Sequence, residues 1–134
     1  MYFDRSPYKG TSGIQRIINA TQYSLAGFKT TFQQEAAFRQ IVAINFILIP
    51  LSFCISVKPI EQALMIAVCL LAIIVELFNS AIEAVVDRIS LEQHPLSKNA
   101  KDMGSAAQFF ALAIIFSTWS IILVGHFSTS HSFF

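Results

Sequence analysis

Three long stretches of the chain are almost entirely apolar. The first covers residues 41–57, carries no charge and contains Pro50, which a helix inside a membrane bundle tolerates as a kink. The second begins near Ile60 and keeps a helical pattern to about Ile89, and the third runs over 106–125 without a charge. Each stretch is long enough for a membrane helix. The pattern predicts membrane spans over residues 36–57, 60–89 and 105–127.

The second predicted helix is longer than a membrane is thick. About 30 residues at ~1.5 Å each give ~45 Å, against a hydrocarbon core of ~30 Å. Its last turns must therefore stand in the interface or in water. A polar connection over 90–104 follows and includes the start of the third helix. Pro95 should break the second helix, and Ser97 is the expected N-cap of the third.

The segment before the first span predicts an amphipathic helix over residues 14–34, which Ser12 or Thr11 can cap. Such a helix beside a span usually lies in the membrane interface. We expect 1–13 to be a polar, disordered N-terminus with no signal peptide, and 128–134 to be a short tail. The apolar positions of the helix recur with helical spacing: Ile14, Ile17, Ile18, Thr21, Leu25, Phe28 and Phe32.

Composition and charge agree with a membrane protein and orient it. Hydrophobic residues make up 54% of the 134 residues and charged residues 13%, with a mean hydropathy of +0.60. The net charge of +1 indicates no nucleic-acid partner. The three spans place a single basic residue, Lys58, on one side of the membrane. The other eight basic residues lie on the opposite side: Arg5, Lys9, Arg16, Lys29, Arg39, Arg88, Lys98 and Lys101. This asymmetry predicts a cytoplasmic N-terminus and second loop, and an outer C-terminus.

Candidate chemistry lies on one face of the second helix. At 100° per residue, Glu76, Asn79, Ser80, Glu83 and Asp87 fall within about 100° of arc. Glu76 and Glu83 are about two turns, or ~10 Å, apart. One carboxylate can therefore lie below the headgroups while the other reaches water. An ionisable group at membrane depth is costly and indicates a functional site.

Further polar residues flank this stripe. Glu35 and Arg39, at the start of the first span, are either a structural i, i+4 ion pair or part of a site with Glu83, which we expect at a similar depth. The chain has no glycine-rich phosphate loop, so a nucleotide site would need side chains and helix ends. A cation-conducting bundle is an alternative, although the third span has no acidic residue.

Two blocks of sequence resemble the small integral-membrane diacylglycerol kinases of bacteria. They are 76–88, with Glu76, Asn79 and Glu83, and 101–107, with Lys101 and Ser105; the segment 35–40 resembles the family as well. The resemblance implies an all-α homotrimer of three-span subunits with an N-terminal surface helix, in the bacterial inner membrane. It also implies transfer of the ATP γ-phosphoryl group to diacylglycerol, giving phosphatidic acid, with Mg²⁺ accompanying ATP.

The resemblance further implies a role for individual residues. Glu76 would be the general base, oriented by Asn79, and Lys101 would stabilise phosphate charge; Glu35 and Glu83 would bind Mg²⁺. ATP would contact Arg16, Tyr23, Glu35, Glu83, Glu92, Gln93, His94, Lys101 and Asp102. The lipid would contact Arg16, Ser24, Lys29, Phe38, Arg39, Gln40, Glu76 and Ser105. Asp87 would be a structural or peripheral charge.

The lipid side departs from the family pattern. Leu25 stands where tryptophan is expected, and Thr21 and Gln22 replace smaller residues. These changes bear on the acyl-chain preference and leave the chemistry untouched. The nearest rival function is phosphorylation of a polyprenol such as undecaprenol, which uses the same fold and chemistry. The extended surface helix and the full-length third span favour diacylglycerol.

Overall fold

The protein is described by a computed structural model that covers residues 13–131, with side chains for 13–128. The described part is helical and contains no strand. Its four helices are α1 (Ile14–Gln34), α2 (Ala36–Cys54), α3 (Pro59–Ile89) and α4 (Pro95–His131). The predicted caps Thr11 and Ser12, most of the predicted polar N-terminus, and the last three residues lie outside the described residues.

Helix α1 is a compact unit by itself. It begins after Gly13, whose φ of +77° is a conformation that glycine adopts without strain. None of its residues is buried. The hydroxyl groups of Thr21, Ser24 and Thr31 each donate to the carbonyl four residues earlier, so the helix satisfies them internally.

Helices α2, α3 and α4 form the second unit, in which α3 packs against both of the others. All three are long and apolar enough to cross a membrane. The core contains Ile41 of α2, Met65 and Ala72 of α3, and Ala111 and Trp119 of α4. Large side chains such as Phe46 and Phe116 are exposed on the single chain, as expected for helices that face lipid or another subunit.

Two contacts fix the register between α3 and α4. Near one end, the Trp119 indole N–H donates to the Met65 carbonyl over 3.3 Å. Toward the other end, Gly104 lies so close to Asn79 that a Cβ on the glycine would overlap the amide. Fourteen residues separate Met65 from Asn79, and fifteen separate Gly104 from Trp119. The helices are therefore antiparallel with almost equal rise between the two contacts.

Two helix boundaries differ from the prediction. Helix α2 ends at Cys54 rather than continuing to Val57, because Ile55 is extended and Lys58, which precedes Pro59, is held extended as well. The predicted N-cap Ser97 is wrong, since α4 already begins at Pro95. His94 caps it instead: its ring Nδ1 accepts the Leu96 N–H over 3.2 Å. Pro95 fits there because the first helical residue needs no donor.

Candidate active site

A cavity of about 370 Å³ lies between α3 and α4, and Glu35, the residue before α2, contributes to its wall. We call it the carboxylate cavity. It brings together five predicted site residues: Glu35, Glu76, Asn79, Glu83 and Ser105. Its remaining lining residues are Ala37, Gln108, Phe109 and Leu112. The cavity thus combines three carboxylates with an apolar side.

Glu76 is the buried member of the three carboxylates. Only 3% of its surface is exposed, because it lies on α3, the helix that packs against both neighbours. Glu35 and Glu83 are partly exposed. None of the ion pairs between described side chains involves these three residues. A buried carboxylate without a cationic partner is costly, so its position favours a chemical role over a structural one.

Asn79 lies one turn from Glu76, at the closest approach of α3 and α4. Its Oδ1 is buried and has no hydrogen-bond partner among the described residues. The absence of a side chain at Gly104 makes room for this amide, since a Cβ there would also lie 3.1 Å from Asn79 Cγ. The glycine at position 104 therefore allows α3 and α4 to lie close together beside the cavity.

The donors suit a hard cation. No group of three His, Cys, Asp or Glu side chains among the described residues is close enough to form a complete metal site. Glu35 and Glu83 nevertheless offer carboxylate oxygens to one cavity. Mg²⁺ commonly takes one or two carboxylates together with phosphates and water. The carboxylate oxygens of Glu35 and Glu83 therefore fit a magnesium ion as part of its ligand set.

A second, larger cavity of about 700 Å³ surrounds the connection between α3 and α4, and we call it the loop cavity. Two ion pairs contribute to its wall: Lys101 Nζ lies 2.6 Å from Asp87 Oδ1, and Lys98 Nζ lies 2.5 Å from Asp102 Oδ2. Its lining includes all the predicted nucleotide residues of this region: Glu92, Gln93, His94, Lys101 and Asp102.

The other predicted site residues lie elsewhere. Arg16, Tyr23, Ser24 and Lys29 are exposed positions on α1, the separate unit. On α2, Phe38 is fully buried, whereas Arg39 and Gln40 are exposed. These three α2 residues line neither of the two cavities.

Sequence reasoning missed Gln108, Phe109 and Leu112, which complete the carboxylate cavity. It also did not pair Asp87 with Lys101. A signal for Gln108 was present: it is a carboxamide in a charge-free span and follows Lys101 and Ser105 on one helical face, at i+7 and i+3. The pairing of Asp87 with Lys101 joins two helices, so no local pattern indicates it.

Fold and cavities together define a helical, multi-pass membrane protein with a buried carboxylate at the facing stripes of α3 and α4. The model of the prokaryotic diacylglycerol kinase family matches residues 22–123, most of the chain. The chain therefore belongs to this family.

The curated relatives of this chain are named as members of the same family. A diacylglycerol kinase of Pseudomonas aeruginosa is 68% identical over 120 residues, which cover 90% of this chain and 98% of the relative. A diacylglycerol kinase of Haemophilus influenzae is 50% identical over 84% of this chain and 96% of its own length. For the Escherichia coli K12 enzyme of the same name the identity is 45%, over 87% and 96%.

Proposed function

We propose that this protein transfers the γ-phosphoryl group of ATP to the hydroxyl of 1,2-diacylglycerol, giving phosphatidic acid and ADP. The observation that carries the proposal is the burial of Glu76 in a cavity that it shares with two further carboxylates and an apolar side. A lipid alcohol and a nucleotide phosphate need such a boundary between apolar and charged surroundings. The family membership and the names of the relatives support the same reaction.

Glu76 acts as the general base. Its carboxylate takes the proton of the lipid hydroxyl while the hydroxyl oxygen forms a bond to the γ-phosphorus and the bond to the ADP oxygen breaks. Burial suits this role, because a desolvated carboxylate is a stronger base than one in water. Asn79, one turn away on the same stripe, positions Glu76, and Ser105 lies near the acceptor hydroxyl.

Charge neutralisation comes from both cavities. Glu35 and Glu83 would hold the Mg²⁺ that enters with ATP, and the metal would neutralise negative charge on the phosphates. Lys101 supplies positive charge from the loop cavity and exchanges its partner Asp87 for a phosphate oxygen. Glu92, Gln93, His94 and Asp102 bind the nucleotide from the loop cavity, and Arg16 and Tyr23 of α1 contribute to the same task.

The membrane setting follows from the charge distribution. From it we infer that the N-terminus and active site are cytoplasmic and the C-terminus is outside. The family membership, and not the charge distribution, is our ground for proposing a homotrimer in the bacterial inner membrane. The exposed apolar residues of α1 favour a helix that lies in the membrane interface. Lipid contacts are assigned to Arg16, Ser24, Lys29, Arg39 and Gln40, whereas the fully buried Phe38 has no surface to offer a lipid.

The test is a phosphorylation assay with purified full-length protein, ATP and Mg²⁺, offered diacylglycerol and undecaprenol side by side. We expect phosphatidic acid as the main product. A preference for the polyprenol by about ten-fold or more in kcat/KM would overturn the substrate assignment. If neither lipid is phosphorylated while the protein conducts cations across vesicles, the kinase assignment itself is wrong.

A further inference from the structure

Gln108 is the most unusual polar residue of the bundle. Both polar atoms of its carboxamide, Oε1 and Nε2, are buried to less than 1 Å² each and have no hydrogen-bond partner among the described residues. The side chain lines the carboxylate cavity beside Phe109, one turn beyond Ser105 on α4. A carboxamide in an apolar span is costly to bury unless it is hydrogen-bonded.

A buried amide on α2 behaves differently. Asn45 on α2 also has an unpaired Oδ1, but its Nδ2 donates to the Ile41 carbonyl of its own helix over 2.8 Å. Asn45 lines neither of the two cavities. Gln108 has both a donor and acceptor capacity unused, and it has a cavity in front of it. These properties indicate a group that meets a ligand.

The register of the helices sets the depth of this carboxamide. Gly104 contacts Asn79, and α3 and α4 run antiparallel with nearly equal rise. Gln108 is four residues beyond Gly104, or ~6 Å, and Glu76 is three residues before Asn79, or ~4.5 Å. Gln108 therefore lies within roughly one residue rise of the level of Glu76. Gln108 and Glu76 therefore line the cavity at the same level, and the carboxamide, whose polar atoms are covered, must turn to meet a ligand there.

A lipid alcohol at that level carries specific hydrogen-bonding groups. The hydroxyl of diacylglycerol donates to its base, so Glu76 takes that donor. The two ester carbonyls, a few bonds away on the same glycerol, are acceptors without a donor in this layer. The Gln108 Nε2 is a donor, whereas Phe109 and Leu112 on the same side of the cavity offer only apolar contact.

We propose that the Gln108 carboxamide binds an ester carbonyl of diacylglycerol and so makes this enzyme selective for ester-linked glycerol lipids. On binding, Nε2 donates to the ester carbonyl, and Oε1, which is unpaired in the structure, becomes the acceptor for the Ser105 hydroxyl one turn earlier on the same face. This inference rests on the proposed function and adds to it the residue that recognises the ester group of the glycerol lipid. A polyprenol has no such acceptor.

The experiment compares diacylglycerol with its dialkyl ether analogue, which has the same chains and hydroxyl but no carbonyls. Wild type, Gln108→Met and Gln108→Glu are assayed as full-length protein, with Gln62→Met as the matched control. Gln62 donates to the Ser52 carbonyl over 3.3 Å, away from the cavity. We expect wild type and the control to prefer the ester by about ten-fold in kcat/KM, the value of one hydrogen bond in a dry site.

Gln108→Met removes the donor at nearly constant volume, and Gln108→Glu replaces it with an acceptor. In both variants kcat/KM for the ester lipid should lie within about two-fold of kcat/KM for the ether lipid, with an unchanged KM for ATP. Gln108→Met should fold at least as well as wild type, because it removes an unpaired polar group. Should it fail to assemble, the isosteric Gln108→Glu gives the same readout.

A wild-type enzyme without ester preference would overturn the inference, and so would a Gln108→Met variant that keeps the wild-type ratio. In both cases the formation of phosphatidic acid from diacylglycerol leaves the proposed function intact. Equal losses with ester and ether substrates would show a structural role for Gln108. Absence of phosphorylation of either glycerol lipid by wild type would overturn the proposed function together with this inference.

Discussion

The two cavities of the bundle differ in whether their charged side chains form ion pairs. In the carboxylate cavity, Glu76 is 3% exposed, and neither it nor Glu35 or Glu83 forms an ion pair with a described side chain. In the loop cavity, the side chains of Lys101 and Asp87 are 38% and 49% exposed and form an ion pair. Lys98 and Asp102 form a second, more exposed pair.

The two kinds of charged group differ in their effect on the stability of the fold. An exposed ion pair contributes little to stability, because water screens both charges whether or not they meet. A buried carboxylate without a partner lowers stability and persists only where it has a use. The carboxylate cavity is accordingly where we expect substitutions to stop the reaction. In the loop cavity we expect them mainly to weaken binding.

The largest expected effect is that of Glu76→Gln, which keeps the shape of the side chain and removes the base. Turnover should fall by about 10²- to 10⁴-fold, while the protein stays folded because a neutral amide is cheaper to bury than a carboxylate. The measurement is the rate of phosphatidic acid formation at saturating ATP and lipid.

Glu61→Gln is the matched control for that variant. Glu61 lies at the opposite end of the same helix, where its carboxylate accepts the Lys58 N–H over 2.8 Å. The glutamine oxygen can accept the same N–H, so this variant should keep both its helix cap and its turnover. Near-wild-type turnover of Glu76→Gln would remove Glu76 from the reaction.

Lys101→Met and Lys98→Met compare two lysines of the loop cavity that form similar ion pairs. Lys101 should matter more, because its pair joins α3 to α4, whereas the Lys98 pair is a local i, i+4 contact. We expect kcat/KM for ATP to fall by about 10²-fold in Lys101→Met, and by no more than about three-fold in Lys98→Met. Equal losses in the two variants would mean that the loop cavity responds only to net charge.

Glu35→Ala and Glu83→Ala should each shift the Mg²⁺ dependence of the reaction. Loss of one carboxylate ligand is expected to raise the Mg²⁺ concentration for half-maximal activity by about ten-fold, since few protein ligands share the ion. Titration of activity with Mg²⁺ at fixed ATP measures this, with Glu61→Ala as a carboxylate control away from the cavity. Unchanged titration curves for both variants would exclude these residues from metal binding.

The smallest effect on turnover is expected for Gly104→Ala, which tests the contact that sets the register. A Cβ at this position would overlap the Asn79 amide, so this side chain must turn away or the helices must separate. We expect a loss of stability of about 1–3 kcal/mol in thermal unfolding, with a few-fold fall in turnover. The control Gly125→Ala has nothing within 4 Å of the added Cβ and should be neutral or slightly stabilising. Similar behaviour of the two variants would contradict the close approach of α3 and α4 at Gly104.

Much of the site lies within reach of local sequence patterns. Glu76, Asn79 and Glu83 share a face because the helical period puts them there, and they line one cavity in the structure. The predicted nucleotide residues 92–94 and 101–102 are close in sequence, so one connection brings them together. The predicted cap Ser97 failed for a local reason, because Pro95 fits the first helical position and His94 has a ring nitrogen that accepts a hydrogen bond.

The sequence by itself determined the three apolar spans and the acidic stripe on one face of α3, because composition and periodicity are local properties. Only the tertiary structure decided what faces that stripe. Contacts between residues far apart in sequence, Trp119 with Met65 and Gly104 with Asn79, set the register that brings Gln108 to the level of Glu76. The same register pairs Lys101 with Asp87. A helix pattern states which residues share its own face, but the alignment of two helices depends on packing between them.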